Sequence, residues 1–365
     1  MPLRSRTPQP GGFTLIELLV VVAVLSAASL LAFGVFSEDR TQIRYDDTRQ
    51  RLQVLRRAIL GQNGPSTAAE GAAGFVADNG DLPADLITLL QLGTLQARAA
   101  RSPIFDPKPD DTTCANDGSA DDISLVATAP ASAPNVFAPA AQLVKGHGGD
   151  YLGGLSVNGR FRDGWGNVSS TDDSSNFGWS TVFDGTSKTL AVTSLGLDNA
   201  VGPVGATDFA ADFGLAVAAN DWLVPIAGWT VTVKFSGMEI PANRLSLSLL
   251  VFINNASGGQ WLRYATNALS TCLGTNSGCT TSATLSFTDG CKPGESVLNK
   301  GRIPQGRHLL LVSYNGTSTV PWATGDTLTV AGTSATGTPA NYGPILTQVD
   351  AVAGRNLPAV TLEIR

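Results

Sequence analysis

Gly11-Gly12-Phe13-Thr14-Leu15-Ile16-Glu17-Leu18-Leu19-Val20 opens an apolar stretch, residues 13–36, in which Glu17 is the only ionisable side chain. At ~1.5 Å per residue a helix over that stretch reaches roughly 36 Å, enough to cross a hydrocarbon core of about 30 Å. Ahead of it, residues 1–12 carry Arg4 and Arg6, no acid, and a closing glycine pair. A secretory signal would have a shorter apolar region with its cleavage site behind it. Here the processing point falls before the apolar stretch, so 1–12 reads as a leader and 13–36 as an anchor that survives maturation. Arginines ahead and the bulk of the chain behind predict a cytoplasmic N-terminus with the head across the membrane. Glu17 is the anomaly. A carboxylate at depth in lipid costs about 2.5–3.5 kcal/mol on insertion scales, which marks a functional group unless the acid stays wet near the helix start.

Residues 11–20 resemble, almost residue for residue, the class III signal of type IV prepilins and type II secretion pseudopilins, and the likeness runs on through the apolar stretch. The resemblance implies cleavage between Gly12 and Phe13 by a prepilin peptidase, then N-methylation of Phe13. It also implies that Glu17 partners the Phe13 amine of a neighbouring subunit during assembly. An ammonium and a carboxylate that meet in an apolar bundle offset part of each other's desolvation, which favours one axial register. The partners implied are other pilin or pseudopilin subunits, the peptidase and an inner-membrane assembly platform. The head would be periplasmic, and the subunit would reach a filament or the cell surface after assembly.

Ser37-Glu38-Asp39-Arg40 turns polar, and 37–60 then reads as an amphipathic continuation of the helix. Tyr45, Leu52, Leu55 and Ile59 recur near the 3.6-residue period, with Asp46, Asp47, Arg49, Arg51, Arg56 and Arg57 largely elsewhere on the wheel. Gly61 and then Asn63-Gly64-Pro65 end it. One helix over 13–60 would run ~72 Å. A separate soluble helix, loosened at Gly34, is the alternative.

Composition narrows the function. A chain of 365 residues suits two compact domains plus a helix, and 40 glycines favour β-structure rich in turns. The net charge of −6 argues against a nucleic-acid binder, which would carry a basic face. Two histidines and four cysteines leave few catalytic bases or soft metal ligands. No GxSxG, HExxH, Walker loop or dinucleotide fingerprint occurs. His308 begins an apolar strand and reads as structural, and His147 sits among glycines as a loop residue.

Residues 61–200 read as a small α/β head. Asp78-Asn79-Gly80-Asp81-Leu82-Pro83 is a turn ahead of a helical pattern over 84–92, closed by Gly93. It is similar to the "NG-x-x-P" turn of secretion major pseudopilins. Arg162-Asp163-Gly164-Trp165-Gly166-Asn167 resembles their "D-P-W-G-N-P" turn with both prolines replaced. Ser194-Leu195-Gly196-Leu197-Asp198-Asn199 is similar to their closing "S-x-G-x-D-G". Between these motifs, 101–150 is a Pro-, Ala- and Asp-rich insertion expected to be a surface loop. The closing loop of the major pseudopilins binds calcium, which needs six to eight hard oxygen ligands. The resemblance thus puts forward Asp172, Asp173, Asp184 and Asp198 as Ca2+ ligands. The alternative is that these acids are solvated turn residues and helix caps.

Residues 205–365 exceed what an ordinary pilin needs. Residues 229–235 and 245–249 alternate apolar and polar, and 309–314, 327–330 and 360–364 continue the series between Gly, Asn, Pro and Ser clusters. Short strands without helices indicate an all-β sandwich. Cys272 and Cys279 flank a turn-like Leu-Gly-Thr-Asn-Ser-Gly, which makes them the first choice for a disulfide in the periplasm, although with Cys114 and Cys291 three connectivities are open. Zinc fares badly, since no CxxC pair exists and neither histidine is close in sequence. The tryptophans Trp165, Trp179, Trp222, Trp229, Trp261 and Trp322 offer either core packing or a sugar-stacking platform. The expectation is an α+β protein: a long pilin helix, a small pilin-like head and a C-terminal sandwich. It would be a noncatalytic minor or tip subunit of a type IV pilus or type II secretion pseudopilus. A membrane-anchored adhesin or carbohydrate-binding module outside any filament is the competitor, with an anchored hydrolase third.

Overall fold

A computed structural model of the chain describes residues 14–61, 74–95, 97, 104–105, 145–168, 172–202, 212–237, 239–242, 245–255, 258–266, 269–287, 300–314 and 346–364; side chains at 30–39 and at scattered strand positions fall outside that description. The leader with Gly12, together with Phe13, Cys114, Cys291, Trp322, residues 327–330 and most of the 101–150 insertion, lies outside the described residues.

Thr14 caps α1 (Leu15–Leu60), and its side chain forms a capping box with Glu17. The helix runs unbroken through Gly34, so apolar half and amphipathic half are one rod of ~69 Å rather than two jointed helices. Gly61, at φ +78°, ends it by returning its N–H to the Arg57 carbonyl at 2.7 Å. The two halves differ in cover. Leu15, Ile16, Leu18, Leu19 and Val20 are between 54% and 83% exposed, whereas Leu52, Leu55 and Ile59 are buried in the head. Among the described residues no helix is long and apolar enough to cross a membrane; the uncharged run in the sequence continues past residue 29 into positions whose side chains are not described.

In the head, α2 (Phe75–Asn79) is followed by a 3-10 turn, Ile87–Leu89, shorter than the helix expected over 84–92. Asp85 sits just ahead of this turn, accepting the Thr88 N–H on its carboxylate and the Thr88 hydroxyl on its backbone carbonyl. The short strand β1 (Ile104–Phe105) comes from the insertion expected to be a loop. After α3 (Asp173–Asn176), strands β2 (Ser180–Asp184), β3 (Thr189–Ser194) and β4 (Phe213–Val217) form an antiparallel sheet in that order. β4 lies beyond residue 205, yet it pairs with β3, and Phe213 sets its ring 4.6 Å from that of Tyr45 on α1. The head core joins Leu52, Leu55 and Ile59 to Phe75, Phe161, Phe177, Trp179 and Trp222.

The rest of the chain is β-structure: β5 (Leu223–Pro225), β6 (Thr230–Phe235), β7 (Leu245–Asn255), β8 (Gly258–Ala265), β9 (Ser282–Ser286), β10 (Arg302–Pro304), β11 (Gly306–Tyr314), β12 (Leu346–Ala351) and β13 (Val360–Ile364). A five-stranded sheet in the order β1-β8-β7-β11-β12 and a three-stranded sheet β13-β6-β9 share one core, and β5 pairs with β10. β1 runs parallel to β8 at its edge. Alternation marks the half-buried strand β6, with Val231, Val233 and Phe235 inward and Thr230 and Lys234 outward. β7 departs from alternation after Leu249 because both of its faces are covered there. Leu249, Val251 and Ile253 enter the sheet core, and Leu250, Phe252 and Asn254 are also buried.

That second face of β7 meets the head. Asn254 donates to Asn79 at 2.8 Å, and both side chains are almost fully buried. Gln305 donates from its side chain to the Leu60 carbonyl at the end of α1, 2.6 Å, and from its backbone to Trp222, 2.7 Å. Gly80 is left-handed at φ +73° and backs onto Phe252 so closely that a Cβ would drive into its carbonyl oxygen.

Candidate functional site at the helix N-terminus and its support in the head

The first turn of α1 concentrates the polar chemistry of an otherwise apolar segment. Glu17 Oε2 accepts from the Thr14 N–H and from the Thr14 hydroxyl, each at 2.9 Å, and the Glu17 N–H returns to Thr14 Oγ1 at 3.4 Å. Both strong bonds fall on one oxygen, so the other carboxylate oxygen keeps its acceptor capacity. Thr14 follows Phe13 directly, which puts the carboxylate within one residue of the expected new terminus. Ser26, the next polar side chain, folds back on the Val22 carbonyl at 2.7 Å and exposes no uncommitted hydroxyl proton. Around this turn the helix is apolar on every side, with no cover from its own chain among the described residues. Such a surface is satisfied by lipid or by other helices of the same kind.

Farther along, the head holds α1 through a cluster that sequence reasoning missed. Asp163 is buried and accepts four hydrogen bonds: from the Gly166 N–H (2.8 Å), the Asn167 N–H (3.0 Å), Asn167 Nδ2 (2.8 Å) and the Ser194 hydroxyl (2.7 Å). Asn167 also donates to the Gly196 carbonyl at 2.9 Å. The two turn motifs are thereby tied to each other. Gly164 ties them to the helix, since its N–H donates to Thr48 Oγ1 at 2.9 Å while Thr48 donates to the Arg44 carbonyl at 2.8 Å. A Cβ at Gly164 would collide with that Arg44 carbonyl, which accounts for glycine where the similar pseudopilin turn has proline.

The four aspartates proposed as calcium ligands are not gathered. Asp173 is committed to Arg162 and Arg160, and the hydrogen bonds from Arg162 hold its carboxyl below the usual carboxylate range. Asp172 accepts from Asn176 at the start of α3. Asp184 closes its own hairpin turn, where Ser187 and the neighbouring N–H groups lower its pKa. Only Asp198 lies on the closing loop, and it accepts from the Ala200 N–H at 3.2 Å. The fold adds a different acid. Asp212 is 2% exposed; its Oδ2 accepts from the Gly202 N–H at 2.7 Å and its Oδ1 has no hydrogen-bond partner among the described residues. A buried carboxylate oxygen left unmatched beside a loop is a fitting ligand for a hard cation.

Cys272 and Cys279 are joined in a disulfide. With Glu239 they are the only three groups of ligand type that converge among the described residues, and both sulfurs are spent in the bond. Trp179, Trp222 and Trp229 are core residues, each with its indole N–H on a backbone carbonyl, rather than a sugar platform. His147 is no loose loop residue: it is buried against Phe75 and Tyr151 with Nε2 on the Thr88 carbonyl. His308 likewise contacts the Pro304 carbonyl at 2.7 Å.

Residues 10–33 match the family model of the prokaryotic N-terminal methylation motif. No curated protein and no solved structure matches the chain.

Proposed function

We propose that this chain, which carries the class III signal of prepilin-type proteins, is a noncatalytic subunit of a type IV pilus or type II secretion pseudopilus. Removal of the leader exposes the Phe13 amine, and the anchor holds the subunit in the inner membrane with its head in the periplasm. Transfer to the filament exchanges lipid for the matching apolar halves of neighbouring helices. The observation that carries this reading is the coincidence of the methylation motif with a long helix whose residues 15–28, apolar but for Glu17 and Ser26, are exposed among the described residues. The bulk of the head and β region favours a minor or tip position over a major repeating one. Replacing Gly12 with Val tests the processing step. The membrane fraction should accumulate a precursor whose intact mass retains Met1, whereas wild type begins at a methylated Phe13. A wild-type mass that retains Met1 would sink the proposal.

A second reading has its own support. The capping box gives Glu17 an intrachain role that needs no neighbour, as in an anchored binding protein outside any filament.

Calcium has a place in either reading. Asp212 and Asp198, with carbonyls of the closing loop, would hold it, and the cation would neutralise the buried Asp212 carboxylate. Calcium should raise the unfolding temperature of wild type relative to a chelator, and Asp212→Asn should abolish the difference. Equal unfolding temperatures of wild type in the two buffers would remove calcium from the account.

A further inference from the structure

The β region ends, away from the head, in a groove of mixed lining. β7 marks the two ends: Asn254 meets Asn79 of the head, while Leu245 lies about 30 Å back along the strand at ~3.3 Å per residue. At that far end Ile240, on the β6–β7 connection, exchanges both backbone hydrogen bonds with Leu273 of the disulfide loop, 2.8 and 2.9 Å. The groove opens there with a volume of 420 Å³. Lys234 and Ser236 line it from the end of β6, Thr281 and Ser282 from the start of β9, Glu363 from β13 and Thr275 from the disulfide loop, with Phe235 in the wall.

The rim is braced before any ligand arrives. Besides the Cys272–Cys279 bond, Gly274 donates to Thr280 at 2.9 Å and Thr280 donates to Cys272 at 3.1 Å. Thr275 donates to the Gly237 carbonyl from its N–H at 3.3 Å and its hydroxyl at 3.2 Å, and Asn276 donates to Glu239 at 3.2 Å. A loop held this way has little ordering entropy left to lose on binding.

We propose that this groove binds a neutral oligosaccharide. The hydroxyls of Ser236, Thr281 and Ser282 can each donate and accept, and that of Thr275, its proton given to Gly237, can still accept, which suits the alternating donors and acceptors of a sugar ring. Lys234 and Glu363 are register partners on adjacent parallel strands, so the groove carries one charge of each sign and favours neither an anion nor a cation. Its hydroxyls and two charged ends interrupt a wall that is largely carbon, a mix that meets both the polar edges and the C–H faces of a sugar ring, and its volume falls within the range of specific ligand sites. The proposal rests on the filament reading only for where the groove is displayed, since binding itself needs no assembly.

The test presents the detergent-solubilised full chain to immobilised neutral and acidic oligosaccharides of two to four residues. Wild type should be retained by neutral members. Thr281→Val with Glu363→Gln should weaken that binding by roughly tenfold or more without shifting the unfolding temperature. Glu17→Val should bind as wild type does, so that a failure to assemble and a failure to bind are read separately. Three results would overturn the assignment: no retention of folded wild type, retention by acidic members alone, or undiminished binding by the double variant.

Discussion

Glu17 has two roles that substitution can separate. In the structure its carboxylate closes the capping box with Thr14, a task that glutamine also performs at this helix position. Pairing with a terminal ammonium needs the charge. Glu17→Gln therefore keeps the helix start and loses the ion pair, whereas Glu17→Val loses both. The filament account predicts that each variant is inserted and cleaved yet missing from sheared filaments. Wild-type levels of Glu17→Gln in that fraction would reduce Glu17 to a helix cap. The anomaly of an acid in an apolar stretch was legible in the sequence, and the Thr14-x-x-Glu17 spacing could have shown its intrachain partner. Asp163 was not legible. An acid in a glycine-rich turn reads as solvated, and its donors at 166, 167 and 194 converge only after two turns separated in sequence have packed together.

At the scale of elements, α1 was readable because the 3.6-residue recurrence of Leu52, Leu55 and Ile59 reports the single face that the head covers. The strands of the β region were readable where one face is wet, as in β6. Pairing was less so. Nothing local in Phe213–Val217 says that it joins β3, since its partner is chosen by Tyr45 and the exposed edge of β3. Nor does Ile104–Phe105 announce that it lies beside β8. The turn at Asn79-Gly80, similar to a pseudopilin surface turn, proves to be the platform on which β7 docks. Gly80→Ala should accordingly destabilise the protein by on the order of 3 kcal/mol, combining left-handed strain with a collision across the junction. Denaturant unfolding measures it, and a near-neutral result would mean that β7 does not dock on the turn as described.

At the scale of the whole molecule, two hydrophobic cores meet through a buried polar seam. Asn79–Asn254 and the Gln305 bond to the end of α1 make the β region an extension of the helix-and-head unit. A fragment cut at residue 205 would carry β4 away from its sheet partner β3. The sequence pointed to a sandwich with its own core. It gave no sign of the seam, because asparagine and glutamine in strands and turns look alike whether wet or buried. The central claim is that this unit is delivered by its N-terminal helix into a filament. The most direct measurement is the intact mass of the protein in filaments sheared from cells. The account predicts a chain that starts at Phe13 with one added methyl group. A chain found only in the membrane fraction, or one that keeps Met1, would contradict it.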